Sequence, residues 1–252
     1  MMRRWCAVAL SLASVQAQAQ EPARWPAVYV HSLQGGTLHD TALLLPRPGS
    51  GPRAFSLALA QALLQQLGRP QVVSDVPLAR ALKALDARQP AWLVGLLRTP
   101  ARELRYQWVL PLYRDTLVFY QSPLRPLAAT SWQQARQLPV CVVHGSAPEE
   151  YALQFGLQRV EHSSSYALCL RMLAAGRVRL APVVAGDLKA KLQEAGLSAA
   201  AVQPSPLPTV ALESYLVASH ATPPAEMQAW QQAWQRLVAS PAYRQLRQQY
   251  WP

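Results

Sequence analysis

Acidic residues are scarce in this 252-residue chain: thirteen Asp and Glu stand against twenty-four Lys and Arg, a formal charge of +11. Lysine is scarcer still, with Lys83, Lys189 and Lys191 alone, so the excess is carried by arginine. An excess of this sign points to nucleic acid, an acidic surface or an anionic ligand. The arginines are scattered, with no block of five or six like charges, and nucleic acid is not expected as a partner. Also absent are a Ser-His-Asp order, a zinc-ligand spacing and a Gly-rich phosphate loop, which removes the commonest hydrolase, zinc-site and nucleotide signatures. Neither a metal nor a cofactor is therefore expected. His144 with Glu149 is the one acid/base candidate pair.

Long apolar runs are confined to the first residues. Met1 to Ala19 carries Arg3 and Arg4, an apolar run from Trp5 to Val15, and Ala17 and Ala19 in an A-x-A pattern, which reads as a secretory signal peptide cut after Ala19. Nothing later reaches eighteen consecutive apolar residues, so no second anchor is expected. Cys6 sits too early for a lipoprotein cysteine, and the expected product is a soluble periplasmic chain of 233 residues (252 minus 19) with a charge of about +9. Two cysteines remain, Cys141 and Cys169. An oxidising compartment permits them to pair, and two buried free thiols are the alternative.

In chain order, Trp25 to His31 is β-like, Ser32 to Thr37 a turn, Pro46 to Pro52 a loop, and Ala54 to Leu67 a helix stopped by Gly68. Gln71 to Val76 is a second strand and Pro77 to Ala87 a second helix. This alternation predicts an α/β fold with parallel strands under helices. The stretch Gly95 to Tyr120 starts as a buried strand from Ala91 to Leu97, breaks at a cationic, Pro-containing turn with Arg98 and Arg102, and resumes as two β-prone pieces around Pro111. Pro139 to Val143 is another buried strand; it enters a turn at His144-Gly145-Ser146-Ala147 that opens a helix, with Ser146 and Glu149 as a capping box. A helix start of this kind favours an anion. Leu157 to Glu161 is expected as a strand, Ser164 to Ala174 as a helix, and Trp230 with Trp234 as a core-facing stripe.

Thr99-Pro100-Ala101-Arg102, followed by an aromatic piece and Pro111-Leu112-Tyr113, resembles the signature of family 3 extracellular solute-binding proteins, the substrate-binding proteins of amino-acid ABC transporters. Val76 to Arg80, Gly145-Ser146, Met172 to Val178 and Leu212 to Ser219 extend the resemblance in order along nearly the whole chain after Ala19. It implies a two-lobed, type II periplasmic-binding-protein-like α/β fold with two hinge crossings and a ligand cleft. The implied lobes are 20–120 plus 212–252, and 121–211. It also implies that Arg102 holds a ligand carboxylate, with Gly95, Leu97 and His31 from the first lobe and His144, Gly145, Ser146 and Ala147 from the second. The expected protein is a monomer that captures a small carboxylate-bearing ligand, amino-acid-like or an organic acid, for an inner-membrane ABC permease. A dehydratase-like enzyme or a ligand-sensing subunit of a membrane receptor are the alternatives on the same fold. Two positions depart from the pattern: Arg179 replaces an Asp, and Val184 stands where amino-acid binders carry an acid, with Asp187 nearby as a shifted substitute or a helix start. The departures favour an organic acid or modified amino acid.

Overall fold

The computed structural model describes residues 25–31, 37–40, 43–46, 48 and 51–250. The expected signal peptide lies outside them, as does the turn expected from Ser32 to Thr37 except for Thr37, which begins a strand. The elements run β1 (Ala27–His31), β2 (Thr37–Asp40), β3 (Leu43–Pro46), α1 (Pro52–Gln66), β4 (Ser74–Val76), α2 (Leu78–Asp86), β5 (Ala91–Leu97) and β6 (Gln107–Gln121). They continue with α3 (Trp132–Ala135), β7 (Val140–Val143), α4 (Ala147–Gln154), β8 (Val160–Ser163), α5 (Tyr166–Ala174), β9 (Ala181–Val184), α6 (Leu188–Ala195), β10 (Gln203–Pro204), β11 (Val210–Ala218), α7 (Pro224–Val238) and α8 (Pro241–Tyr250).

One sheet of seven strands runs through the molecule in the order β10-β6-β11-β5-β1-β4, with β9 also paired to β6. Strands β4, β1 and β5 are parallel, as the strand-helix alternation predicts. β11 returns antiparallel between β5 and β6, and β6 extends past it to pair with β9. These two long strands are the crossings between lobes. The sequence suggests two pieces around Pro111, yet β6 is a single strand of 15 residues. Pro111 is opposite Tyr215, where the β6–β11 register shifts, so the ladder bond that proline cannot donate falls at an irregularity.

Helices cover both faces of the sheet in each lobe. In the first, α1 and α7 pack on one face around Trp92 and Trp230, whose rings are 4.7 Å apart, and α2 covers the other face. Trp230 is fully buried and Trp234 partly so, the stripe expected from their spacing. In the second, Phe119, Trp132 and Phe155 form an aromatic cluster under α4, while Val118, Tyr120 and Val183 face α5 and α6. The strand expected over Leu157 to Glu161 is displaced to Val160–Ser163, because Leu157 is buried in the aromatic cluster rather than in the ladder.

Cys141 on β7 and Cys169 on α5 are bonded, with Cα atoms 5.3 Å apart. The bond ties the strand to the helix that crosses it. In the chain-entropy picture a loop closed over a separation of 28 residues contributes about 3 to 4 kcal/mol. Excess reductant is thus expected to lower the urea midpoint by that amount of stability; an unchanged midpoint, with both thiols alkylated, would contradict it.

Candidate functional site

Arg102 is reached from β5. The strand ends at Leu97, and a short 3-10 turn from Pro100 to Arg102 folds the arginine back beneath it, leaving it 2% exposed. A guanidinium so deeply buried requires partners for its charge and its donors. Its Nη1 donates to the Leu97 carbonyl at 3.3 Å and its Nη2 to the Gly145 carbonyl at 3.1 Å. Its Nε donates to Glu150 Oε1 at 2.9 Å. Thr99 Oγ1 donates to the other oxygen of the same carboxylate at 2.5 Å. Thr99 and Arg102 thus grip a carboxylate between them, and it comes from the first turn of α4 in the opposite lobe. Glu103, the nearest acid in sequence, pairs instead with Arg98 at the surface.

A second charged pair crosses the same cleft. Arg53, in the first turn of α1, donates from Nε to Asp187 Oδ2 at 2.9 Å. A cation there opposes the helix dipole, so the opposite-lobe carboxylate supplies the compensation. Arg53 Nη1 also lies 3.3 Å from the His31 carbonyl oxygen and 3.4 Å from His31 Nδ1. His31 Nε2 is 3.4 Å from the Gly95 carbonyl oxygen. Burial, then the charges of Arg53 and Arg102, push the His31 pKa down to about 3, so the ring stays neutral at physiological pH. Burial also raises the Tyr113 and Tyr166 phenols and keeps them protonated. Asp115 is raised by burial against the opposing effect of backbone donors from Thr116 and Gly186, and its Oδ2 is buried with no hydrogen-bond partner among the described residues.

Two of the spaces among the described residues share His31 and Arg53. The inner one, about 30 Å³, is lined by His31, Arg53, Gly95, Leu97, Tyr113, Asp115, Val184 and Asp187. It has room for about one water, far less than a ligand needs. The outer one, about 430 Å³, shares His31 and Arg53 and is walled by the start of α2 and by His144, Ser146, Tyr166 and Lys191. That volume is in the range of small-molecule sites. The lobes meet closely at the inner end: a Cβ on Gly186 would lie 2.5 Å from Asp115 Oδ2 and 2.7 Å from Pro52 Cγ. Gly95 needs its identity on two counts, a φ of 84° and an approach of Ser56 Oγ to 3.0 Å of any Cβ.

The structure brings Gly95, Leu97 and His31 to the inner space, and Ser146 and His144 to the outer one. The turn at 145–147 is arranged differently from the anion-facing helix start expected of it. The Gly145 N–H donates to Glu149 Oε2 at 2.5 Å and the Ser146 N–H to the Val143 carbonyl at 3.2 Å. Ser146 caps Glu149 N as the capping box requires, but Glu149 reaches back one residue further, to Gly145. Ala147 is buried and lines neither space. Arg179 is also accounted for: it donates to the Arg125 and Pro126 carbonyls and holds that loop. Arg53, Asp115, Glu150 and Tyr166 are not singled out by sequence reasoning. The signal for Arg53 is an uncompensated cation in a helix's first turn.

The neutral His31 makes the fold sensitive to acid. A depressed imidazole pKa means that the unfolded chain takes up a proton the folded chain refuses, so this contribution to stability is full above about pH 6.5 and is lost as pH falls toward 3. A His31→Gln variant is expected to lose stability less steeply than wild type between pH 7 and 4. Parallel curves of melting temperature against pH would show that His31 carries no such linkage.

No protein-family model matches this sequence, and no curated protein matches it. Solved structures do. An ancestral arginine-binding protein bound to arginine is 16% identical over 90% of this chain and 98% of its own, with a TM-score of 0.69. A histidine kinase sensor domain with similarity to periplasmic binding proteins is 17% identical over 88% of this chain and 94% of its own, also at 0.69. The ancestral amino-acid-binding protein AncCDT-1, a precursor of cyclohexadienyl dehydratase, is 15% identical over 88% and 93%, at 0.65. At these identities the likeness establishes architecture: the chain has a two-lobed, periplasmic-binding-protein-like α/β fold.

Proposed function

We propose that this protein is a periplasmic solute-binding protein that captures a small carboxylate-bearing ligand, amino-acid-like or an organic acid, for an uptake transporter. One observation carries the reading: Thr99 and Arg102 hold a carboxylate where the lobes meet, and that carboxylate belongs to the other lobe. A planar guanidinium matches a carboxylate with two parallel donors, and opening the cleft would free this fork for a ligand. In this reading a ligand carboxylate takes the place that Glu150 holds on Thr99 and Arg102. The amino-acid-binding structural neighbours support a solute-binding role.

The acid absent at Val184 has two candidate replacements in the cleft. Asp187 is paired with Arg53, and one oxygen of Asp115 has no partner among the described residues. Both stand beside the inner space, where a ligand ammonium entering with its carboxylate on Arg102 would meet them. An amino-acid-like ligand is on this ground as well supported as the organic acid favoured by Val184 alone. His144 and Glu149, the pair suited to acid/base chemistry, stand on the second lobe's rim with the His144 side chain 82% exposed, which supports binding rather than turnover.

A thermal-shift screen of amino acids, dicarboxylates and aromatic acids tests the proposal, since a ligand at a hundred times its Kd stabilises by about 2.7 kcal/mol. For the compound found, Arg102→Ala is expected to weaken binding by roughly 2 to 5 kcal/mol, the range for removing one partner of a buried charge pair. Glu150→Gln is expected to bind more tightly, because the internal competitor has lost its charge. Unchanged affinity in a folded Arg102→Ala variant would remove Arg102 from the site.

A further inference from the structure

Glu149 is nine-tenths buried, and two imidazoles converge on one of its oxygens. His162 Nε2 lies 2.5 Å from Glu149 Oε1 and His144 Nδ1 lies 3.3 Å from it. One ligand atom from each of the three residues falls within 4.8 Å of the others. From these positions we propose that His144, Glu149 and His162 form a binding site for a borderline divalent metal ion, with Zn²⁺ as its occupant, on the second lobe at the mouth of the cleft.

The donor set is the first argument. Two imidazoles and one carboxylate are the ligand types that Zn²⁺ takes in sites keeping a fourth position for water, whereas Mg²⁺ and Ca²⁺ prefer oxygen alone. Bonds of about 2.0 to 2.2 Å in a tetrahedral arrangement put ligand atoms about 3.3 Å apart. The His144 contact is already at that spacing, and the His162 contact reaches it by a small swing of a ring that is 49% exposed.

Rigid support is the second. The ligands come from three elements whose relative positions the backbone sets: His144 follows β7, His162 lies in β8, and Glu149 is in the first turn of α4. β7 and β8 are parallel and in register, Val142 against His162, and the His144 N–H donates to the Ser163 carbonyl at 3.3 Å. The disulfide from Cys141 to Cys169 fixes β7 to the helix behind it. The carboxylate is oriented as well. Glu149 Oε2 accepts the Gly145 N–H, which leaves Oε1 turned toward the two rings. Hydrogen bonds that orient a ligand in this way characterise working metal sites. The side-chain exposure of His144, 82%, leaves the remaining coordination positions open to solvent or to a group entering the groove that His144 lines.

This site shares no ligand with the Arg102 and Arg53 pairs, so the proposal stands apart from the reading of the cleft. It is tested on tag-free protein stripped with a chelator and titrated with Zn²⁺ by calorimetry, with Co²⁺ absorption as a second probe. The expected result is one Zn²⁺ per chain, tetrahedral-type d–d bands for Co²⁺, and no competition from excess Mg²⁺. Orienting groups alone change metal affinity by about 10- to 100-fold, so removing a ligand is expected to cost at least about 10-fold. His144→Ala and His162→Ala should each show that loss while remaining folded without metal, and His220→Ala should bind as wild type does. Glu149→Gln adds a test of the carboxylate that does not remove its side chain. No stoichiometric Zn²⁺ binding at 100 µM, or equal affinity in the two histidine variants and wild type, would overturn the proposal.

Discussion

A buried guanidinium can exist only where its charge is answered, and the answer to Arg102 comes from another part of the chain. Taking such an ion out of water costs several kcal/mol, which a well-placed carboxylate and full use of the donors must offset. Here the carboxylate of Glu150 and the carbonyl of Gly145 belong to one lobe and Thr99, Leu97 and Arg102 to the other. The compensation is complete only while the lobes are together. Arg53 and Asp187 repeat the arrangement nearby, again a first-lobe cation with a second-lobe acid. Close steric fit at Gly186 and the small inner volume lie beside these pairs.

Charge pairing of this kind gives the cleft a definite chemistry. A site whose two cations are each matched to a carboxylate favours an incoming ligand able to replace one of them, and disfavours one that leaves an ion buried and unpaired. The neutral His31 and the protonated Tyr113 and Tyr166 then offer hydrogen bonds without adding charge. The long strands β6 and β11 carry the chain between lobes and hold these groups in register, since both are paired along most of their length.

Much of the architecture was legible in the sequence, because apolar strands alternating with capped helices have few compact arrangements. Ser146 caps its helix through its side chain, as the capping box predicts, a signal that depends only on local geometry. The turn that delivers Arg102 was legible for the opposite reason: a cationic, Pro-bearing break between buried strands has no local justification. What answers that arginine was not legible. An acid in a helix's first turn is stabilised there by the helix dipole, so nothing local marks Glu150 as half of an interlobe pair. His162 was equally hidden, since only the parallel pairing of β7 with β8 brings it to His144, eighteen positions away. Pro111 argued for a break in β6 that the sheet absorbs by a shift of register. Each miss is a long-range contact overriding a local signal.

The central claim is that a ligand carboxylate takes the place of Glu150 on Arg102. A crystal structure of the protein with the most stabilising compound tests it directly. The expected result is a ligand carboxylate within hydrogen-bonding distance of the Arg102 guanidinium and Thr99 Oγ1, with Glu150 displaced from both. A ligand bound elsewhere, with the Thr99, Arg102 and Glu150 contacts intact, would contradict the account.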